Sequence, residues 1–160
     1  MGAVLSPCRK YRYKLFRDTD GQQDKLIAYF GVNPSTACES KDDSTVRRWK
    51  GFSALFGANR MIVGNVFAYR STDVNALARV DDPIGPRNHE YVSEIIERAD
   101  ILVPCWGSRA KLPKALRPHL DKFIELLQDS NKPVMCFGKT ASNDPAHPLM
   151  LPYSTQLVEW

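Results

Sequence analysis

Four short apolar runs alternate along the chain with stretches whose apolar residues recur at helical spacing. The runs are KLIAYFG (25–31), RMIVGNVFAYR (60–70), DILVPCWG (100–107) and KPVMCFGKT (132–140). Each is apolar on consecutive residues, as a strand buried on both faces must be. Between them, residues 44–57 place Val46, Trp49, Phe52 and Phe56 at helical spacing, with Gly57 as a stop. HEYVSEIIERA, entered near Asn88, puts Tyr91, Ile95 and Ile96 on one helical face. Pro118 to Asn131 repeats the pattern with Leu120, Phe123, Ile124 and Leu127. Strands alternating with helices predict a parallel α/β sheet with right-handed crossovers.

Upstream, RKYRYKLFR (9–17) alternates basic with aromatic or apolar side chains, as a strand with one wet face does. DTDGQQD (18–24) is a turn, so this strand and KLIAYFG are expected to pair as a hairpin. Pro104 counts against full pairing of the third run. The expected fold is one α/β/α domain over 1–160. Its mainly parallel sheet has about four strands plus an N-terminal antiparallel one; residues 1–25 form the strand and turn and 26–152 the core.

No apolar run approaches the ~20 residues of a membrane span, and MGAVLSPCRKYRYK has no apolar core suited to a secretion signal, so a cytoplasmic protein is expected. Cys8, Cys38, Cys105 and Cys136 form no CxxC pair, and neither a metal nor any other cofactor is expected. The net charge of +4 permits a polyanionic partner without requiring one.

In open parallel sheets, ligands bind beyond the carboxyl ends of the strands. That rule gathers FGVNPST (30–36), NVFAYRST (65–72), WGSRA (106–110) and FGKTASNDPAHPLML (137–151) at one rim. Gly31 permits close backbone approach and Pro34 fixes the turn. Asn33 either holds a water or caps the next turn. An amide at Asn65, inside an apolar run, either reads the edge of a base or grips a loop. Gly138 and His147 are placed at the same rim. Phe67, Tyr69 and Trp106 are candidate stacking residues, with core packing as the alternative. Lys41, Arg47, Arg48, Lys50, Arg70, Arg109 and Lys111 are candidate phosphate contacts.

Gly31-Val32-Asn33-Pro34-Ser35 resembles the first motif of the uracil-DNA glycosylase superfamily, nearest the GINPG form of the mismatch-specific enzymes. The helix carrying Trp49 and Phe52 follows at a similar distance. Asn65 to Thr72 resembles the segment whose Asn reads the pyrimidine, and His147-Pro148-Leu149 resembles the HPS loop that enters the minor groove. The ordered set spans about residues 26–152.

The resemblance implies hydrolysis of the N-glycosidic bond of a flipped pyrimidine in DNA. Asn33 would position water, His147 would stabilise the departing base, and Gly31, Val32, Pro34, Ser35, Phe52, Asn65, Phe67 and Trp106 would shape the base pocket. Arg47, Arg48, Arg70, Arg109, Lys139, Pro148 and Leu149 would meet DNA. Ser35 and Leu149 depart from the glycine and serine of those motifs, and Asn33 stands where the fastest members carry a catalytic aspartate. The chain also resembles an uncharacterised bacterial and phage family through NPSTA (33–37), Asp42-Asp43-Ser44-Thr45-Val46-Arg47-Arg48, NVFAYRSTD (65–73) and HPLML (147–151).

Asp42 and Asp43 have no counterpart in the mismatch enzymes. They act as an acid or base, as a metal site, or as the cap of the helix near Ser44, the last being favoured. Two further readings stand beside the glycosylase: processing of a modified base or free nucleotide through these carboxylates, and a non-catalytic module that binds nucleic acid or protein.

Overall fold

The computed structural model describes residues 1–160. A mixed sheet of five strands runs in the order β1-β2-β4-β3-β5: β1 (Gly2–Leu5), β2 (Arg12–Asp18), β3 (Gln23–Gly31), β4 (Ala58–Asn65) and β5 (Ile101–Pro104). β3 lies between β4 and β5 and is parallel to both, while β2 is antiparallel to β4 and to β1. Helices α1 (Ser44–Leu55), α2 (Asn88–Arg98) and α3 (Arg117–Gln128) occupy the three stretches of helical spacing.

Strand alternation sorts β3 onto two faces. Ile27 and Tyr29 pack with Met61 and Val63 against Val46, Trp49 and Phe52 of α1. Leu26, Ala28 and Phe30 pack with Ile62 and Leu102 against Val92, Ile95 and Ile96 of α2 and Leu120, Phe123 and Leu127 of α3. Helices therefore cover both faces, which is why the central strands read as continuous apolar runs. The buried Tyr29 hydroxyl is paired with Ser53 Oγ at 2.9 Å.

The expected hairpin of β2 with β3 does not form. β4 lies between them, and the 19–22 turn arches over its first residues. Thr19 N donates to Asn59 O and Gln23 N to Gly57 O, so the arch is tied to the strand beneath it. Gly21 is needed there, since a Cβ would come within 1.9 Å of Ala58 O. The hairpin partner of β2 is instead β1, a strand the sequence pattern did not announce.

The expected fourth parallel strand shrinks to β6 (Met135–Cys136), which pairs antiparallel with β7 (Val158–Glu159). Its contact with β5 is one parallel bridge, Leu102 to Val134. β5 ends at Pro104, which has no N–H to extend a ladder, and the preceding residue of Val134 is also a proline. α3 ends at Gln128, short of Asn131, which adopts a left-handed φ of 60°. No helix is long and apolar enough to cross a membrane.

Cys105 and Cys136 are buried and Cys8 is exposed. Burial pushes the Cys105 thiol up to about 12 despite its contacts with Trp49 and Phe30 O.

Candidate functional site

A cleft of about 240 Å³ opens beyond the carboxyl ends of β3 and β4, where the rim argument places it. Its walls come from seven segments. β2 supplies Arg12, and the end of β3 supplies Gly31, Val32, Asn33, Pro34 and Ser35. Asp43, Thr45, Val46 and Trp49 come from the start of α1 and Asn65 from the end of β4. The loop after β4 adds Ser71, Thr72 and Val74, and the last segments contribute Trp106 and His147.

Asn33 is tied down by its amide nitrogen. Nδ2 donates to Ser71 O at 2.9 Å, Pro34 O at 3.1 Å and Tyr69 O at 3.4 Å. Three carbonyls around one nitrogen settle which way the amide points and leave Oδ1 without a protein donor. Asn33 thus both staples the loop after β4 to the loop after β3 and keeps one acceptor for a ligand or a water.

Asn65 is 3% exposed at the last position of β4. Its Oδ1 accepts from Arg12 Nη2 at 3.4 Å, and its Nδ2 has no protein acceptor. A Cβ added at Gly31 would come within 3.1 Å of that nitrogen, so a glycine keeps room in front of the amide. Asn88 Nδ2 holds the strand end by donating to the carbonyls of Asn65 at 3.0 Å and Val66 at 3.2 Å.

Asp43 caps α1, its Oδ1 accepting from Val46 N at 2.9 Å, and also lines the cleft. Asp43→Ala is therefore expected to cost about 0.5–2 kcal/mol of stability, measured by urea denaturation. Asp42 plays a different part. It does not line the cleft, and both of its oxygens are held, Oδ1 by Arg17 Nε at 2.7 Å and Oδ2 by Lys50 Nζ at 3.3 Å. Asp42 is thus held in ion pairs away from the cleft wall.

His147 stands at the mouth. Its Nδ1 accepts from Leu149 N at 3.2 Å, which puts the ring proton of the neutral form on Nε2. Desolvation, and then the charge of Lys111, lower its pKa from the ordinary value against the opposing pull of Asp43. At neutral pH the side chain is a neutral imidazole with an N–H donor.

Several expected site residues lie elsewhere. Phe52 and Phe67 are fully buried, Phe52 against Phe137 and Tyr153 on the α1 face and Phe67 in the α2–α3 core. Of the expected aromatic walls Trp106 does line the cleft, joined there by Trp49. Gly138 is not among the residues lining the cleft, and an added Cβ there would meet open space. Arg109 is ion-paired to Asp121 at 2.9 Å and Asp144 at 3.2 Å, so it is committed to the scaffold rather than free for phosphate. Arg48 donates to Leu151 O and lies 4.2 Å over the Tyr153 ring, pinning the C-terminal segment. Arg70 is held by Arg9 O at 3.2 Å. Arg47 and Lys139 remain exposed with no carboxylate partner, and Arg47 bonds only Asp42 O and Ser44 Oγ. Pro148 is buried in the short turn after His147, while Leu149 is 38% and Met150 88% exposed.

Thr45, Val46, Trp49 and Val74 line the cleft without having been expected there, and Arg12 is the charged cleft residue that sequence reasoning missed. It sits in the basic–aromatic alternation of β2, where a solvated face was expected, yet it is 2% exposed. Nothing in the local pattern separates it from Lys10 or Lys14; only the position of β2 beside β4 carries it to the cleft.

No group of three or more His, Cys, Asp or Glu side chains converges in a way that could hold a metal ion. No curated protein matches the chain, and no solved structure does. A family model described as "Protein of unknown function (DUF1643)" matches residues 12–149. That span opens on Arg12, passes through every residue lining the cleft and ends two residues after His147. The chain belongs to the DUF1643 family.

Proposed function

We propose that the cleft receives a nucleobase, and that the protein is a base-processing enzyme built as a three-layer α/β/α sandwich of the uracil-DNA glycosylase type. The observation that carries this reading is the convergence of Gly31, Asn33, Asn65 and His147 on one small polar cleft beyond the strand ends. Those four residues come from the three motifs whose order resembles the glycosylases.

In the reaction, the N-glycosidic bond breaks with its electron pair going to the base. Water supplies a hydroxyl to the sugar carbon and, in net, a proton to the base. Asn33 Oδ1 accepts from the attacking water, Asn65 Nδ2 donates to a base carbonyl, and His147 Nε2–H donates to the departing base. Trp49 and Trp106 flank the ring. A base must leave the duplex to enter such a cleft, and the exposed Leu149 and Met150 are apolar side chains of the kind that fill a vacated stack. Arg47 and Lys139 supply charge for phosphates.

The test is single-turnover cleavage of uracil-, thymine-mismatch- and modified-pyrimidine DNA, followed as abasic-site formation. Abasic product on one of the three is expected. Silence of the wild-type protein on all three would sink the reading.

One observation favours a second possibility: Asp43, unlike Asp42, lines the cleft. Turnover of free nucleotides without duplex binding in a salt titration would favour a carboxylate-driven reaction there, whereas DNA binding without turnover would favour a binding module.

A further inference from the structure

Strand β2 carries two buried guanidinium groups, Arg12 and Arg17, each 2% exposed. They are satisfied very differently. Arg17 bonds the Asp42 carboxylate and three carbonyls, those of Gly2, Phe16 and Cys38. Arg12 bonds only Ala37 O, at 3.0 Å, and Asn65 Oδ1, at a long 3.4 Å. Its Nε has no partner at all, and no carboxylate is within ion-pairing distance. A guanidinium offers five N–H donors, so most of this group's capacity is unused.

Arg17 is a structural ion pair. Arg12, with equal burial, cannot be explained that way, because a buried charge lacking a counter-ion costs several kcal/mol. Burial pulls its pKa down to about 10, partly opposed by Asp43, and it stays charged at neutral pH. Arg12 lines the cleft, and the cleft is where a counter-charge has room to sit.

We propose that Arg12 is the anion receptor of the cleft. It takes the negative charge of a ligand, and Ala37 O and Asn65 Oδ1 orient it for that purpose. This rests on the nucleobase reading for the identity of the ligand, which is then the carbonyl edge of a heterocycle bound or released as its anion. A buried, pre-oriented cation stabilises such an anion more than water does, because no solvent must reorganise around it. The same contact orients Asn65: with Oδ1 facing Arg12, Nδ2 is the group presented to the ligand.

Calorimetric titration of the full chain at neutral pH tests the proposal. The probes are 5-nitrouracil, whose acidic ring N–H makes it an anion, and neutral uracil, with acetate and inorganic phosphate beside them. The wild-type protein is expected to bind 5-nitrouracil about tenfold or more tighter than uracil, the scale of one charge-assisted contact. Arg12→Gln keeps an N–H donor without the charge and should abolish the preference, 5-nitrouracil losing about tenfold or more relative to uracil. Arg12→Lys should retain part of it. Should Arg12→Gln fail to fold, Asn65→Asp takes its place, since it gives Arg12 an internal counter-ion and should also erase the preference.

Equal wild-type affinity for the two bases, a preference that survives the loss or neutralisation of the Arg12 charge, or no binding of any probe would overturn the proposal. Arg12-dependent binding of acetate or phosphate with no binding of either base would uphold the anion receptor and overturn the nucleobase reading instead.

Discussion

Arg17→Met is expected to lower the unfolding free energy by about 3–5 kcal/mol, the usual cost of breaking a buried ion pair by removing one partner. The substitution strips the Asp42 carboxylate of its 2.7 Å bond and leaves three carbonyls, of Gly2, Phe16 and Cys38, without their donor. Those contacts tie together the N-terminal edge of the sheet, β2 and the loop leading into α1. Urea denaturation at neutral pH measures the loss. The double variant Arg17→Met/Asp42→Leu is expected to recover much of it, because the charge left without a partner, Lys50, is exposed to water rather than buried.

The same pair sets an acid limb. Burial acts to raise the Asp42 carboxyl, but the hydrogen bond and charge of Arg17, with Lys50, outweigh it and hold the pKa below the ordinary 3.8. A carboxyl depressed on folding contributes stability that is present above its unfolded pKa and is lost as pH falls through the folded one. Wild-type stability should therefore carry this contribution down to the ordinary carboxylate range and lose it below. In Arg17→Met the burial remains and its main counterweight is gone, so the depression of the Asp42 carboxyl, and with it this acid-limb loss, should shrink or change sign. Equal acid limbs in the two proteins would mean that Asp42 does not depend on Arg17.

What could be read from the sequence depended on how local the cause was. The central strands and the three helices announced themselves because burial on both faces, and on one face, leaves different periodicities. Strand order did not, since the insertion of β4 between β2 and β3 is decided by long-range packing and by Gly21 in the arch over Ala58. β1 and β7, at four and two residues, are too short to show alternation.

For the site, the rim rule needed only the strand ends. It brought Gly31, Asn33, Asn65, Trp106 and His147 to one cleft. It misplaced Phe67, because an aromatic near a strand end gives no sign of which side of the sheet it will face; Phe52, expected from the resemblance alone, lies on the buried face of α1. It missed Arg12 for a related reason: β2 runs antiparallel to β4, so its first residue, rather than its last, lies at the carboxyl rim. A rule that collects carboxyl ends passes over such a residue every time.

Asn33→Ala is expected to reduce single-turnover cleavage by about 10²-fold or more, the cost of misplacing a reacting group. It should also lower stability by about 1–3 kcal/mol, because the carbonyls of Pro34, Tyr69 and Ser71 lose the amide that pairs them. Rates are therefore to be compared at a temperature where both proteins are fully folded. The alternative assigns proton transfer to Asp43, the one carboxylate among the residues of the cleft wall. An amide cannot take up a proton at neutral pH, whereas a carboxylate can. If Asp43 is the base, Asp43→Asn should lose about 10²–10⁴ in rate. If Asp43 is only the cap, the Asn side chain still accepts from Val46 N, and both rate and stability should change little. The geometry favours the first arrangement. Asn33 has a fixed orientation and an oxygen with no other donor, while one oxygen of Asp43 is already spent on the helix. An Asp43→Asn rate far below that of Asn33→Ala would reverse the assignment and move the chemistry to the carboxylate.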